Sequence, residues 1–512
     1  MKKSNKVPPD GGYGWVIVFA NALSNFIATP LMHCFGLIFN VTFAELGLTA
    51  TQSSLIINLN AAFGMMTGLI NGVLLKMYGC RKVAMLASFL LTFGVVLTSY
   101  SKTFTHFVIS YGLITSLGMG LCQSAYSLSV YTYFVDRRSY AVGLSETITG
   151  FGPILIPQMI SVLMTIYTPE GVTLIFGGIC AHVFIAATLL QPVKWHMKIK
   201  EEKQGETVEI QMKSNLTNTE EKKEEPKEET NSDSTEKTTD THNNDVVTEN
   251  DNASNQEKTD EHDKQDTKNV ENGEDTIKEP RSTEKAEGEH NSEKKLKENI
   301  FITIVRMFDL DLLKDPIFVN IMMGLALAIF AELNFTVLTP FMLHDYGLDT
   351  SQIAIFLSVL GGADIVFRFF APHIANLFTT SPRWMYAGSL FLLMLTRFTF
   401  LLSTNFYILI AIASGLGIAK GIRKVYMSLV IPDYVSIDKL ATASGMEMMM
   451  NGFCIMIGGP ILGVVRDVTG SYTLCVIIMN CVTFTTITMW IIEVLIIKFK
   501  QVKIKKDKTM PV

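Results

Sequence analysis

Twelve apolar runs, each long enough to cross a bilayer, constrain this chain more than any other feature. They lie at about 14–40, 53–76, 83–101, 107–132, 141–166 and 171–192, then at about 315–341, 351–378, 384–403, 406–431, 440–465 and 472–497. A hydrocarbon layer about 30 Å thick requires roughly 20 apolar residues at a helical rise. In lipid, each backbone N–H and C=O must be satisfied within its own segment, so runs of this length are read as helices. Composition agrees: 48% of residues are apolar, with 32 Phe and 26 Met, and the mean hydropathy is +0.30 although 18% are charged. The charges gather in one central segment, at both ends and in short loops. The fold class expected is therefore all-α and membrane-spanning, with two bundles of six helices.

The boundaries follow from the same pattern. Residues 1–13 form an N-terminal segment, 14–192 the first bundle, 193–314 a polar connection, 315–497 the second bundle and 498–512 a basic tail. No Phe, Trp or Tyr occurs between Met197 and Ile300, and Glu, Lys, Asp, Asn and Thr dominate. Such a stretch cannot bury enough apolar area to offset its chain entropy, so it is expected to be disordered. Lys2, Lys3, Lys6, Lys76, Arg81, Lys82, Arg137 and Arg138, and the lysines from Lys498 to Lys508, fall on one set of loops and ends. The positive-inside rule then places both termini and the connection in the cytoplasm. There the sequons at Asn215 and Asn252 are expected to stay unmodified.

Other classes are poorly supported. The formal net charge of −5 mixes acids with bases, and the basic residues lack aromatic neighbours, so no nucleic-acid partner is expected. The seven cysteines show neither metal nor disulfide spacing, and all but Cys80 fall in apolar runs. The sequence shows no nucleophile–base spacing, metal-ligand cluster or cofactor motif. Neither an enzyme nor a cleavable signal peptide is expected.

The chemistry-bearing residues are charges inside the apolar runs. Asp364 and Arg368 are four residues apart, so on a helix they share one face. Buried charge in a spanning helix costs about 2.5–3.5 kcal/mol on insertion scales, so this pair must face protein or a water-filled cavity. It is either part of a transport site or an ion pair locking two helices. Lys420, Arg423 and Lys424 occupy another shared face. They can bind an anion, form a gate with Glu447 or Asp433, or extend to lipid headgroups. Glu332 and Arg397 are further intramembrane charges suited to ion pairs.

Several stretches carry a family resemblance. The 6+6 layout with a long connection resembles the major facilitator architecture. The stretch Gly72–Lys82 is similar to the signature that joins its second and third helices, with Lys76 near the position of the usual acid. Pro9-Asp10-Gly11-Gly12-Tyr13-Gly14-Trp15 resembles the opening signature of the monocarboxylate transporter family. Tyr133-Phe134-Val135-Asp136-Arg137-Arg138-Ser139-Tyr140-Ala141 resembles its second signature. Asp364 and Arg368 fall where that family carries an Asp and an Arg, and Gly459–Asp467 is similar to its eleventh helix.

The resemblance implies a plasma-membrane carrier of small organic monocarboxylates that works by alternating access as a proton symporter. The alternative is a proton-independent carrier of another acid, amino acid or hormone-like molecule; a non-transporting receptor or scaffold is the remaining class. It also implies contact with membrane lipid and a single-span immunoglobulin-type ancillary glycoprotein as partner. Arg368, His33, Arg423 and Lys420 are the expected substrate-binding residues, and Asp364 and His33 the expected proton-coupling residues. Asp10, Gly11, Gly12, Trp15, Arg81, Arg137 and Arg138 are the gating or signature residues. The chain departs from the family in three places. His33 stands where proton-coupled members carry a Lys, Ser145-Glu146-Thr147-Ile148 replaces small residues, and Phe369 replaces a Pro after the arginine. A free imidazole titrates near about 6.5, so His33 is a proton-sensitive group without a permanent charge.

Overall fold

The computed structural model describes residues 6–48, 50–199, 305–378 and 380–508. The first half contains α1 (Gly14–Glu45), α2 (Ala50–Met66), α3 (Gly68–Tyr78), α4 (Cys80–Ser99), α5 (Phe104–Tyr133), α6 (Arg138–Met164) and α7 (Pro169–Leu189). The second contains α8 (Pro316–Asp345), α9 (Thr350–Phe378), α10 (Pro382–Phe400), α11 (Phe406–Tyr434), α12 (Ile437–Thr469) and α13 (Tyr472–Lys508). Among the described residues, ten helices are long and apolar enough to span a membrane, and α2 with α3, bent by 45° at Thr67, forms an eleventh.

The twelfth span is α10, whose 19 residues include Arg383 and Arg397. Both charges are neutralised inside the protein, by Glu493 at 2.8 Å and Glu332 at 2.6 Å. The six-plus-six expectation holds.

Helix ends follow local rules. Pro169 opens α7 behind Thr168, whose Oγ1 accepts the Gly171 N–H at 3.3 Å. Pro316 opens α8 behind Asp315, whose Oδ1 accepts the Ile317 N–H at 3.0 Å. Gly470 closes α12 in the left-handed conformation, φ 62°.

The expected disordered connection lies almost wholly outside the described residues, as do both sequons, but its margins are ordered. Lys198–Ile199 pair antiparallel with Lys6–Val7, and Leu310–Lys314 form a 3₁₀ turn before α8. Residues 193–199 and 305–314 of the connection are thus ordered against the bundles. Polar composition denies the segment a core of its own, whereas residues near the bundles find partners there. His196 stacks on Tyr13 with ring centroids 4.7 Å apart, and Asp309 accepts a hydrogen bond from Lys76 at 2.6 Å.

Within the first half, α1 packs on α6, and α4 on α5 and α7; within the second, α9 packs on α11, α11 on α10 and α8 on α13. The halves meet where α2 and α3 touch α12 and where α6 touches α9 and α11. One buried core runs from the first half into Ala371, Tyr426, Leu429, Leu440 and Met446 of the second, whereas the core around Phe335, Phe356, Phe400 and Met479 belongs to the second half alone. The shared core lies beside the α3–α4, α5–α6 and α11–α12 connections, and that end is closed. Small residues permit the approach: a Cβ at Gly72 would sit 2.6 Å from the Ala441 carbonyl oxygen, and one at Gly143 would sit 2.7 Å from the Pro372 ring.

Candidate functional site

Charges from α6, α8, α9, α10 and α11 converge just inside the closed end. Arg368 grips Asp364 with two bonds: Nε donates to Oδ1 at 2.7 Å and Nη2 to Oδ2 at 2.8 Å. Its Nη1 crosses to the first half and donates to the Glu146 carbonyl oxygen at 3.0 Å. Asp364 is 6% exposed, so the pair is buried as the insertion argument requires. Tight approach of α11 brings this about, because Gly417 and Gly421 leave space for the α9 backbone at Leu360 and Asp364.

The basic face of α11 forms as its spacing predicts, but its three members differ. Lys420 Nζ lies 3.7 Å from Glu332 Oε1, and Lys424 Nζ lies 3.9 Å from Glu146 Oε2. Arg423, between them, is 5% exposed and makes no direct ion pair with a carboxylate among the described residues, although Glu332 and Asp364 lie close enough to act on its charge. Its Nη1 contacts Met427 Sδ at 3.7 Å, and its Nε is buried without a hydrogen-bond partner. A buried guanidinium left this way is costly unless an anion completes it.

Glu332 and Arg397 prove to be each other's partners. Arg397 is fully buried, donates from Nη2 to Glu332 Oε2 at 2.6 Å, and stacks its guanidinium 4.7 Å from the Phe335 ring centroid. Glu447, the gate partner considered for the basic face, accepts a bond from Asn451 Nδ2 at 2.5 Å and lies close enough to Lys424 to act on its charge.

The two signature stretches fold onto one another. Asp10, at φ 45°, accepts three backbone N–H bonds at its Oδ1, from Val135 at 2.7 Å, Asp136 at 3.0 Å and Arg137 at 3.3 Å. Gly11 and Gly12 supply the turn: their carbonyl oxygens accept the Gly14 and Trp15 N–H groups at 3.1 and 3.2 Å, and Gly12 adopts φ 57°. Trp15 packs on Phe134 with centroids 5.1 Å apart. Arg138 then bridges the halves, donating from Nη1 to the Pro432 carbonyl oxygen at 2.7 Å and from Nε to Phe134 at 2.9 Å. The Arg137 side chain is exposed, whereas Arg81 lies in the first turn of α4 with its Nε buried.

Asp309 fills the role of the acid that the Gly72–Lys82 stretch lacks. It receives bonds from Lys76 at 2.6 Å and from the Thr442 hydroxyl at 2.7 Å, joining α3 to α12. Sequence separation hid this contact, since Asp309 lies more than two hundred residues from Lys76. Glu146 was legible only as a replaced small residue, although its place on α6 one turn beyond Gly143 marks it as facing α9. The backbone of His33 lies in α1 one turn beyond Pro30; its side chain is outside the described residues.

Two six-helix halves, fused at one end and holding opposed buried charges where they meet, define a membrane carrier. The family model of the Major Facilitator Superfamily matches residues 14–251 and 317–507, and the chain belongs to that superfamily. Two solved structures share the fold. They are the proton:xylose symporter XylE bound to 6-bromo-6-deoxy-D-glucose (TM-score 0.56, 12% identity, 93% of this chain and 95% of that one) and the transporter FucP in the outward conformation (0.57, 13%, 93% and 98%).

Similar curated proteins give the type. Monocarboxylate transporter 12-B of Danio rerio is 26% identical over 38% of this chain and 40% of its own length. Monocarboxylate transporter 9 of Pongo abelii is 26% identical over 38% and 37%. Monocarboxylate transporter 6 of Mus musculus is 29% identical over 36% and 39%. The matched stretch thus spans about two-fifths of these relatives. The protein is a Major Facilitator Superfamily member, a multi-pass membrane carrier rather than an enzyme, and over this stretch it is similar to proteins named monocarboxylate transporters.

Proposed function

We propose that this protein moves small organic monocarboxylates across the plasma membrane by alternating access, as a proton symporter. The observation that carries the reading is Arg423, a buried guanidinium in direct contact with no carboxylate among the described residues and with its Nε unbonded. A substrate carboxylate supplies the planar pair of acceptors that such a group requires. The charge balance supports an anion. Arg368, Lys424, Lys420, Arg397 and Arg423 outnumber the carboxylates that stand among them, Asp364, Glu146, Glu332 and Glu447. Arg368 then organises the site beside Asp364, and Lys420 and Arg423 receive the anion.

On this reading the closed end faces the cytoplasm with both termini, because the basic loops lie there, and the substrate cavity opens outward. His33 and Asp364 carry the proton. The ancillary immunoglobulin-type glycoprotein belongs to the same reading, supported by the family alone. His33 in place of a lysine favours a second reading, proton-independent carriage of another acid or amino acid. Uptake of radiolabelled pyruvate and lactate at an outside pH of about 6 and of about 7.5 separates them, since an imidazole changes charge across that range. Faster uptake at the lower pH is expected. Uptake indifferent to the gradient removes the symport, and no uptake of either acid removes the monocarboxylate substrate.

A further inference from the structure

Glu146 is a carboxylate that the sequence pattern of the family does not call for. It lies on α6 of the first half, its side chain is 9% exposed, and its Oε2 is buried without a hydrogen-bond partner. The cations nearest that oxygen both belong to the second half: Arg368 Nη1 at 3.9 Å and Lys424 Nζ at 3.9 Å. The same residue's backbone oxygen already holds Arg368 Nη1 at 3.0 Å. One residue of the first half thus faces two cations of the second, immediately inside the seam where Gly143 meets Pro372.

The geometry points to Glu146 as a gating and specificity-determining residue. In the empty carrier its carboxylate stands in for a substrate carboxylate between Arg368 and Lys424 and latches the closed end. The physical argument is one of exchange. Opening this end separates α6 from α9 and α11, which takes Glu146 away from both cations and leaves Lys424 with only the unbonded charge of Glu447 and part of Arg368 unmatched. Separating paired charges in a poorly hydrated interface is unfavourable unless another anion replaces the lost one. An anionic substrate held by the α11 cations is such a replacement; an empty site offers none. Glu146 therefore competes with substrate for the same donors and makes the empty carrier reluctant to open at this end. The selection of anions by this competition rests on the carrier reading above, whereas the latch itself does not.

Two measurements on the full-length protein test the two parts. The first needs no substrate. Thr442, fully buried in the seam, is replaced by cysteine, and its alkylation by a charged maleimide is followed in permeabilised membranes, the chain without that cysteine giving the background. Adding Glu146→Gln is expected to raise the labelling rate about fivefold or more, the lower range of a coupling between two sites. Lys424→Met should raise it similarly, and the two together no further than either alone. Labelling unchanged by both substitutions, or fully additive effects, overturns the latch. The second measurement is pyruvate uptake normalised to surface protein. Glu146→Gln is expected to lower KM severalfold while the ratio of exchange to net flux falls; an unaltered KM and ratio overturn the competition. Increased labelling in a chain that moves no pyruvate supports the latch and counts against the monocarboxylate substrate.

Discussion

Arg368 and Asp364 form a two-bond ion pair within one helix, at 2.7 and 2.8 Å, and the remaining Nη1 of the arginine is held by the backbone of Glu146 in the opposite half. The pair is thus complete within the protein itself, and it ties the halves together. Its role is organisation of the site as much as recognition.

Arg368→Ala should therefore destabilise as well as inactivate. It leaves the Asp364 carboxylate buried and alone, a loss of about 3–5 kcal/mol for a broken buried pair. The double replacement Asp364→Ala with Arg368→Ala should recover part of that loss, because partners in one network are not additive. Thermal unfolding in detergent micelles measures the recovery. Uptake should remain absent in the double variant, since the organised site is gone.

Arg423→Gln should weigh on function more than on stability. The Arg423 charge favours the Glu332 carboxylate without bonding it directly, so the melting temperature is expected to fall only a little. Transport efficiency should fall at least about tenfold, the effect of losing charge-assisted bonds worth roughly 1.5–3 kcal/mol. Vmax/KM for pyruvate beside a melting curve gives both readouts.

Arg397→Met is expected to act on folding alone. Glu332 would lose its 2.6 Å bond and keep only Lys420 at 3.7 Å and the unbonded charge of Arg423. A loss of about 3–5 kcal/mol and poor surface expression should follow, with partial recovery on adding Glu332→Leu. Protein that does reach the surface should transport with a nearly normal KM.

Asp10 gives a graded test of the clasp between the two signature stretches. Asp10→Asn keeps an acceptor oxygen and tolerates the left-handed backbone, so it should be mild. Asp10→Ala removes the acceptor for three N–H groups and should cost about 1–2 kcal/mol, the range of a lost helix cap. Comparing the two melting temperatures checks the order.

The pH profile tests His33. If it carries the coupled proton, His33→Gln should flatten the rise in uptake between an outside pH of about 7.5 and about 6. His33→Lys puts the residue of the proton-coupled members at this position and should support carboxylate uptake with its gradient dependence. A profile unaltered in His33→Gln would take the proton away from this residue.

The sequence by itself determined the number and order of the spans, because each helix closes its own backbone hydrogen bonds and needs no distant partner to form. It determined the Asp364–Arg368 pair for the same reason, since four residues of one helix fix the geometry, and it placed the basic face of α11. Only the tertiary structure decided which charges were spoken for. Glu332 with Arg397, Glu146 with Lys424, and Lys76 with Asp309 join residues far apart in the chain, and helix packing alone determines their distances. That packing left Arg423 as a buried cation bonded to no carboxylate among the described residues, and it made Glu146, a local oddity in the sequence, the carboxylate that faces the other half.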